Sequence, residues 1–322
     1  MTLSLLSEVN NKTRKNLKNC IFNPDWLVFI SNVVEVLKNC VQYFVYAVPD
    51  FSSSGHELTQ MTDFKTLSPK RLRSACRDGT FDGPTSGYAP GFVQANVVIL
   101  PSSYAQEFEE FCRRNPQPCP VLEVLSAGDF ELNKIAPKAD IRTDLPRYRI
   151  FRDGHIQSEA TDILDLWNEK LVTFLLGCSF VAEDALLKAG LLLPHISETG
   201  FVPMYRTTLP CESAGRFEGT MVVSMRPFEL EEAERAADIT KRYPMAHGAP
   251  IHIGDPAILG IEDLHNPEFG EPVTMSPGQV PVFWACGVTP QIAIANAKPP
   301  LAITHAPGHM FVADITSEST RI

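Results

Sequence analysis

The sequence predicts an α/β protein: a layered α/β sandwich built from β-α-β units, with a smaller α+β insertion domain and an N-terminal extension. Three observations predict it. Apolar residues fill 44% of the 322 positions against 20% charged, enough to bury a sizeable core. An apolar β-run, a helix signature and a second apolar β-run recur in that order three times. Residues 1–65 differ in composition from the rest, being rich in Asn, Ser and Val, and run into the linker-like "DFSSSGHELTQ" at 50–60.

Taken in order, the extension carries one apolar stretch, "WLVFISNVVEVLKNCVQYFVYAV" at 26–48. Glu35 and Lys38 interrupt it, so it reads as an amphipathic or partly buried helix and not as a membrane span. The ordered body is expected to begin at "SPKRLRSACRDG", where Ser68 can cap a helix, Pro69 suits its first position and Gly79 its exit. The first unit is "NVVILP" (96–101), a helix over 102–116 with Ser103 and Gln106 as a capping box, and "CPVLEVL" (119–125). The second is "TMVVSMRP" (220–227), a helix over 228–244 and "APIHIGDP" (249–256). The third is "VPVFWACG" (280–287), a helix over 289–300 opened by Thr289-Pro290, and "LAITHAP" (301–307). Short strand–helix–strand connections predict parallel strands. Between the units, "RYRIFRDGHIQSEATD" (147–162) reads as a hairpin turning at Asp153-Gly154. The stretch 163–194 reads as helical with a break at Gly177, and 201–210 as a strand. The expected partition is therefore a main domain of 66–125 and 216–322, a smaller domain of 126–215 and the extension 1–65.

A net charge of −10 argues against a general nucleic-acid partner. Eight cysteines are scattered without CxxC or zinc-ribbon spacing, which suits buried thiols in a reducing compartment. The first twenty residues lack a secretory signal pattern, so the cytoplasm is expected, with the mitochondrial matrix as the alternative. No membrane is expected, and a homo-oligomer is left open.

An open parallel sheet presents ligands to the carboxyl ends of its strands. That rule selects His252, Gly254 and Asp255, then Cys286 and Gly287 ahead of a helix N-terminus, then His305 and His309. In "THAPGHMF" (304–311) the two histidines stand four apart, but Pro307-Gly308 forbids the helix that would pair them on a metal. They read as strand-end loop residues. His305, His309 and Asp255, with His252, could supply acid, base and orienting partner. No cofactor is expected. A divalent metal on His247, His252, His305 and His309 is the alternative, although their spacing matches no standard motif. Cys286 and Cys178 both sit where a helix begins or breaks, and two activated thiols would suit proton transfer at carbon. The basic run "RTDLPRYRIFR" (142–152), with Arg142, Arg147, Arg149 and Arg152, and Arg206 in "PMYRT" offer forks for a carboxylate. The loop "DGPTSGYAPGFVQAN" (82–96) adds Gln94 and Asn96 as polar contacts.

These segments together resemble the D-glutamate cyclase family, whose bacterial members are often labelled hydro-lyases. The likeness lies in "GPTSGYAPGFVQANVVILP", "RTDLPRYRIFRDG", "LVTFLLGCSFVAEDALLKAG", "PMYRTTLPC", "HGAPIHIGDPAILGI", "VPVFWACGVTPQ" and "ITHAPGHMFVADI". It runs from about Ser68 to Asp314 and leaves out residues 1–65. It implies a two-part α/β fold and conversion of D-glutamate to 5-oxo-D-proline and water. On that reading the substrate is a small carboxylate. Arg142, Arg147 or Arg206 would anchor it, His305 or His309 would move protons, Asp255 would orient a histidine, and the helix N-terminus at Gly287 would steady the oxyanion. Three other readings fit the same residues: a hydro-lyase for a small hydroxy-acid, a cofactor-free racemase using Cys178 and Cys286, and a non-catalytic binder of small carboxylates.

Overall fold

A computed structural model describes residues 64–322 of the chain. Expectations for the extension, the 26–48 stretch among them, lie outside the described residues. Ser68 occupies the N-cap of α1 (Pro69–Arg77), Pro69 its first turn, and Gly79 follows in the left-handed region at φ 70°.

The centre of the larger sheet is β1 (Phe92–Pro101), whose residues 93–100 are all buried. Val97 and Ile99 enter one core, and Val98 and Leu100 enter another on the opposite face. This is why "NVVIL" is apolar without alternation: a strand covered on both faces needs apolar side chains at every position. The first core takes in Leu132, Ile141 and Tyr148, the second Phe108, Phe111, Phe174 and Phe217. Each such phenylalanine contributes roughly 1.5–3 kcal/mol by leaving water.

Every strand pairing among the described residues is antiparallel. The α/β class stands, but the parallel pairing expected of the three units does not. In the first unit, α2 (Ser102–Arg114) leads from β1 to β2 (Val121–Leu125), and β5 (Leu171–Gly177) lies between the two strands, antiparallel to both. The second unit repeats this in the smaller sheet. There α5 (Leu230–Thr240) joins β7 (Thr220–Glu229) to β8 (His252–Ile253), with β9 (Gln279–Ala285) between them. The third crosses sheets: α6 (Thr289–Ala297) carries the chain from β9 to β10 (Ala302–His305) beside β1. The first two crossovers keep their strands parallel in direction and lose their adjacency, because a later strand fills the gap.

The hairpin turns where expected. Asp153 and Gly154 both take positive φ, 50° and 82°, between β3 (Tyr148–Arg152) and β4 (His155–Ala160). The helix expected across 163–194 is a strand in its middle. "LVTFLLG" forms β5, buried at every residue, and helix begins only at α3 (Phe180–Lys188) and α4 (Pro194–Glu198). Burial on both faces removes the periodicity that separates a strand from a helix. The larger sheet runs β2-β5-β1-β10-β3-β4, with β11 (Phe311–Thr316) also on β1; the smaller runs β6 (Met204–Pro210)-β7-β9-β8. Strands at 148–177 thus share a sheet with β1 instead of forming an insertion, and residues 204–285 supply the second sheet.

Neither Ser68 nor Ser103 makes the expected side-chain cap bond. No side-chain cap bond forms at the start of α2, which begins at Ser102. Thr289 lies inside α6, where its hydroxyl accepts from the Val222 N–H at 3.0 Å and ties the helix to β7.

Candidate active site

β10 and β11 run along one edge of β1 in different registers. β10 sets Val98 opposite Thr304, and β11 sets Ala95 opposite Phe311. Continued toward each other, these registers put His305 against Val97 and Met310 against Asn96, so residues 306–309 are extruded from what would be a single strand. Proline at 307 has no N–H to lose from a ladder, and Gly308 supplies φ 81°. A Cβ at Gly308 would come within 3.0 Å of the Phe201 ring. Thr85 holds the extruded turn: its N–H donates to the Gly308 carbonyl at 2.9 Å, and its hydroxyl accepts from the Met310 N–H at 3.0 Å.

The extruded turn forms one wall of a cavity of about 330 Å³, through Ala306, Pro307 and His309. Arg149 on β3 and Glu159 on β4 form the next. They are direct cross-strand partners and pair at 2.9 Å. Phe201 and the loop Glu268–Glu271 close it from the side of the smaller sheet. That loop is held by a bridge between Phe269 and Met204, and Gly270, at φ 75°, comes so near the Val202 carbonyl that no Cβ would fit. The cavity thus presents one guanidinium, one imidazole and three carboxylates, of Glu159, Glu268 and Glu271. The wall can therefore meet groups of either sign of charge.

His309 is fixed in one tautomer. Its Nδ1 lies 2.9 Å from the Pro307 carbonyl, which can only accept, so in the neutral ring Nδ1 carries the proton and Nε2 is a base. Burial pushes its pKa below the usual histidine value, against the pull of that carbonyl bond. Arg147, paired with Asp82 at 2.7 Å, adds to the lowering. Arg149 also reaches Gln291 of α6, whose amide donates to the His305 carbonyl at 3.1 Å.

The other expected residues divide by location. Arg206 stands at the rim: its N–H donates to Glu268 at 3.1 Å, and its guanidinium lies 5.9 Å from the Phe269 ring centre. His305 is 1% exposed and not on the cavity wall; its Nδ1 accepts the Val97 N–H at 3.1 Å, and burial depresses its pKa to about 3. A histidine so enclosed is a poor proton carrier. His252 and Asp255 turn on each other at the edge of the smaller sheet. His252 Nε2 contacts the Asp255 carbonyl at 2.9 Å and its ring stacks on Phe283, while the Asp255 carboxylate caps the next turn through the Ala257 N–H. Asp255 therefore orients a local turn and not a histidine of the cavity. Arg142 is taken by Asp140 at 2.7 Å and by the Phe130 ring, so it anchors its own loop. Among the described residues no group of three His, Cys, Asp or Glu could hold a metal ion, and His247, His252, His305 and His309 do not converge.

Asn96, Cys178, Cys286 and Gly287 form a second group, at the seam between the sheets. The Asn96 amide donates to the Gly177 carbonyl and lies so close to Gly287 that a Cβ there would overlap it. Gly287 is thus a packing glycine and is not on the wall of the first cavity. Both cysteines belong to one apolar cluster with Val202, Met204 and Met310. Burial pushes Cys178 up to about 12 and Cys286 up to about 11, against backbone N–H bonds that pull each down. Both are protonated thiols at neutral pH, which disfavours the two-thiol racemase. Gln94 donates to the Thr85 and Tyr88 carbonyls, away from the first cavity.

The sequence offers Arg149 only as one of four arginines of the basic run and gives no sign of Glu159, which faces it across the hairpin, or of the 268–271 loop. A buried triad was invisible there. Arg226 donates to Glu183 at 2.6 Å, and His195 meets the same carboxylate at 2.9 Å. Burial alone would raise Glu183, but His195 and Arg226 outweigh it and hold its pKa at about 2.

The D-glutamate cyclase family model matches residues 172–314. A protein of Geobacillus kaustophilus (strain HTA426) is 53% identical over 258 residues, covering 80% of this chain and 98% of its own length. One of Stutzerimonas stutzeri (strain A1501) is 52% identical, covering 80% and 97%. One of Natranaerobius thermophilus is 54% identical over 243 residues, covering 76% and 93%. All three bear the name "Putative hydro-lyase".

Proposed function

The chain belongs to the D-glutamate cyclase family, and from that premise we propose that it is a hydro-lyase closing D-glutamate to 5-oxo-D-proline with loss of water. The observation that carries the reading is His309, neutral, tautomer-fixed and on the wall of the same cavity as Arg149. A cavity of about 330 Å³ suits a five-carbon amino acid.

Ring closure forms a bond from the α-nitrogen to the carbon of the γ-carboxylate and breaks one of that carbon's bonds to oxygen. The ammonium loses two protons, and both leave with that oxygen as water. His309 Nε2 takes the first proton, which makes the amine nucleophilic, and returns it to the departing oxygen. Arg149 grips a substrate carboxylate by its fork, with Arg206 at the rim for the second. Glu268 and Glu271 receive the ammonium and set the hand of the substrate. Because the reaction is intramolecular, holding the curled chain supplies much of the rate.

The name of the relatives also fits dehydration of a hydroxy-acid, but three carboxylates in the cavity favour a substrate with an ammonium group. D-glutamate labelled with oxygen-18 on the γ-carboxylate separates the two. Cyclisation yields 5-oxoproline with one label of two retained. Failure to release labelled water from D-glutamate, with alkene formed from a hydroxy-acid, would assign the other reaction.

A further inference from the structure

We infer that the cavity of Arg149 and His309 also closes γ-amides of D-glutamate, releasing an amine where the free acid releases water. The inference rests on reading this cavity as the seat of ring closure, and it widens the substrate from the acid to its amides. Charge is the first observation behind it. Arg149 is balanced by Glu159 at 2.9 Å. Glu268 and Glu271 remain on the wall as unbalanced negative charge, against Arg206 alone at the rim. D-glutamate brings two carboxylates and one ammonium group, and so a net negative charge. Its γ-amide brings one of each and is neutral. A wall with surplus carboxylate repels the first more than the second.

Hydrogen bonding points the same way. A carboxylate only accepts, whereas a secondary amide also donates through its N–H. Among the described residues no group donates to Glu271, and Glu268 accepts only the Arg206 N–H, at 3.1 Å. One of the two receives the α-ammonium and the other the amide N–H; neither can serve a γ-carboxylate. Space is the third observation. About 330 Å³ lies in the range of cavities that hold drug-sized ligands, more than D-glutamate alone fills. The surplus borders Phe201, Phe269 and Pro307, apolar surface on which the amine's substituent is buried. The step balances. The α-nitrogen bonds to the γ-carbonyl carbon, and that carbon's bond to the amide nitrogen breaks. Both protons lost by the ammonium go to the departing nitrogen, the first through His309 Nε2, so the amine leaves as an ammonium ion. No water, oxidant or activated co-reactant enters.

The probe is the γ-benzylamide of D-glutamate, incubated with the full chain and followed by proton NMR, with D-glutamate in a parallel tube. The expected products are 5-oxo-D-proline and benzylammonium in equal amounts, at a kcat/KM at least tenfold above that for D-glutamate. In His309→Gln both activities should fall together, by a hundredfold or more, while the far-UV dichroism stays that of the parent. Turnover of D-glutamate with the benzylamide left intact, or a kcat/KM for the benzylamide below that for D-glutamate, overturns this inference and leaves closure of the free acid standing. Benzylammonium released with D-glutamate as the other product, an amide hydrolysis, overturns it as well, as does undiminished release by folded His309→Gln. Turnover of the benzylamide alone supports it and removes the free acid as substrate; turnover of neither overturns both readings.

Discussion

Acid destabilises this protein through histidines that folding will not let ionise, and His305 shows how much. A free histidine takes up its proton near pH 6.5, whereas His305 is held at about 3 and His247 at about 4, in each case chiefly by burial. Both folded values lie below the unfolded one, so the unfolded chain binds protons first. The stability is fully present above pH 6.5 and is lost as the pH falls toward the folded values. Between pH 7 and pH 5 each of the two removes about 2 kcal/mol, roughly 4 together, by proton linkage. Glu183, held at about 2, contributes stability lost only below the ordinary carboxylate range, outside this window. In His305→Asn the amide oxygen can still accept the Val97 N–H, but the side chain has no proton to gain. The assay is urea unfolding at pH 7 and pH 5, followed by circular dichroism, on both proteins. The variant should lose about 2 kcal/mol less than the parent over this interval, whatever its stability at pH 7. Equal losses would refute the assignment of His305 as a buried neutral ring.

Three further outcomes follow. Gly308→Ala forces a left-handed φ on alanine and presses its methyl on Phe201, costing about 1–3 kcal/mol in unfolding experiments. Glu183→Gln leaves the Arg226 guanidinium buried without its counter-charge and costs about 3–5 kcal/mol; Arg226→Met with Glu183→Leu should recover much of that. Arg149→Met should raise KM for D-glutamate at least tenfold, while Arg142→Met, bound up with Asp140 and Phe130, leaves it unchanged in steady-state kinetics.

The sequence shows the elements of this fold more clearly than their neighbours. Apolar runs and helix signals located β1, α2, β7, α5, β9 and α6, because each is local. Which strand lies beside which is decided by segments distant in sequence, and "LVTFLLG" concealed the decisive one. Once β5 is placed, β1 and β2 cannot be adjacent. The site follows the same division. His309 and the arginine-rich strand could be read from residue type, and Pro307-Gly308 told that no helix joins the histidines. That His305 faces inward and His309 outward depends on a four-residue register shift against β1, which no composition encodes. Asp255 and His252 lie at a strand end, as the parallel-sheet rule required, but the sheet is antiparallel and its strand ends do not share one mouth.

The central claim, that His309 in the cavity of Arg149 moves the proton when D-glutamate closes, rests most directly on proton NMR of D-glutamate turnover by the parent and by His309→Gln. The parent should accumulate 5-oxo-D-proline, with kcat/KM falling only at a lower pH than an ordinary histidine would give, because burial lowers the His309 pKa. The variant should bind D-glutamate with little change and turn it over about 10²–10⁴-fold more slowly. Turnover by His309→Gln at the parent's rate would contradict the account.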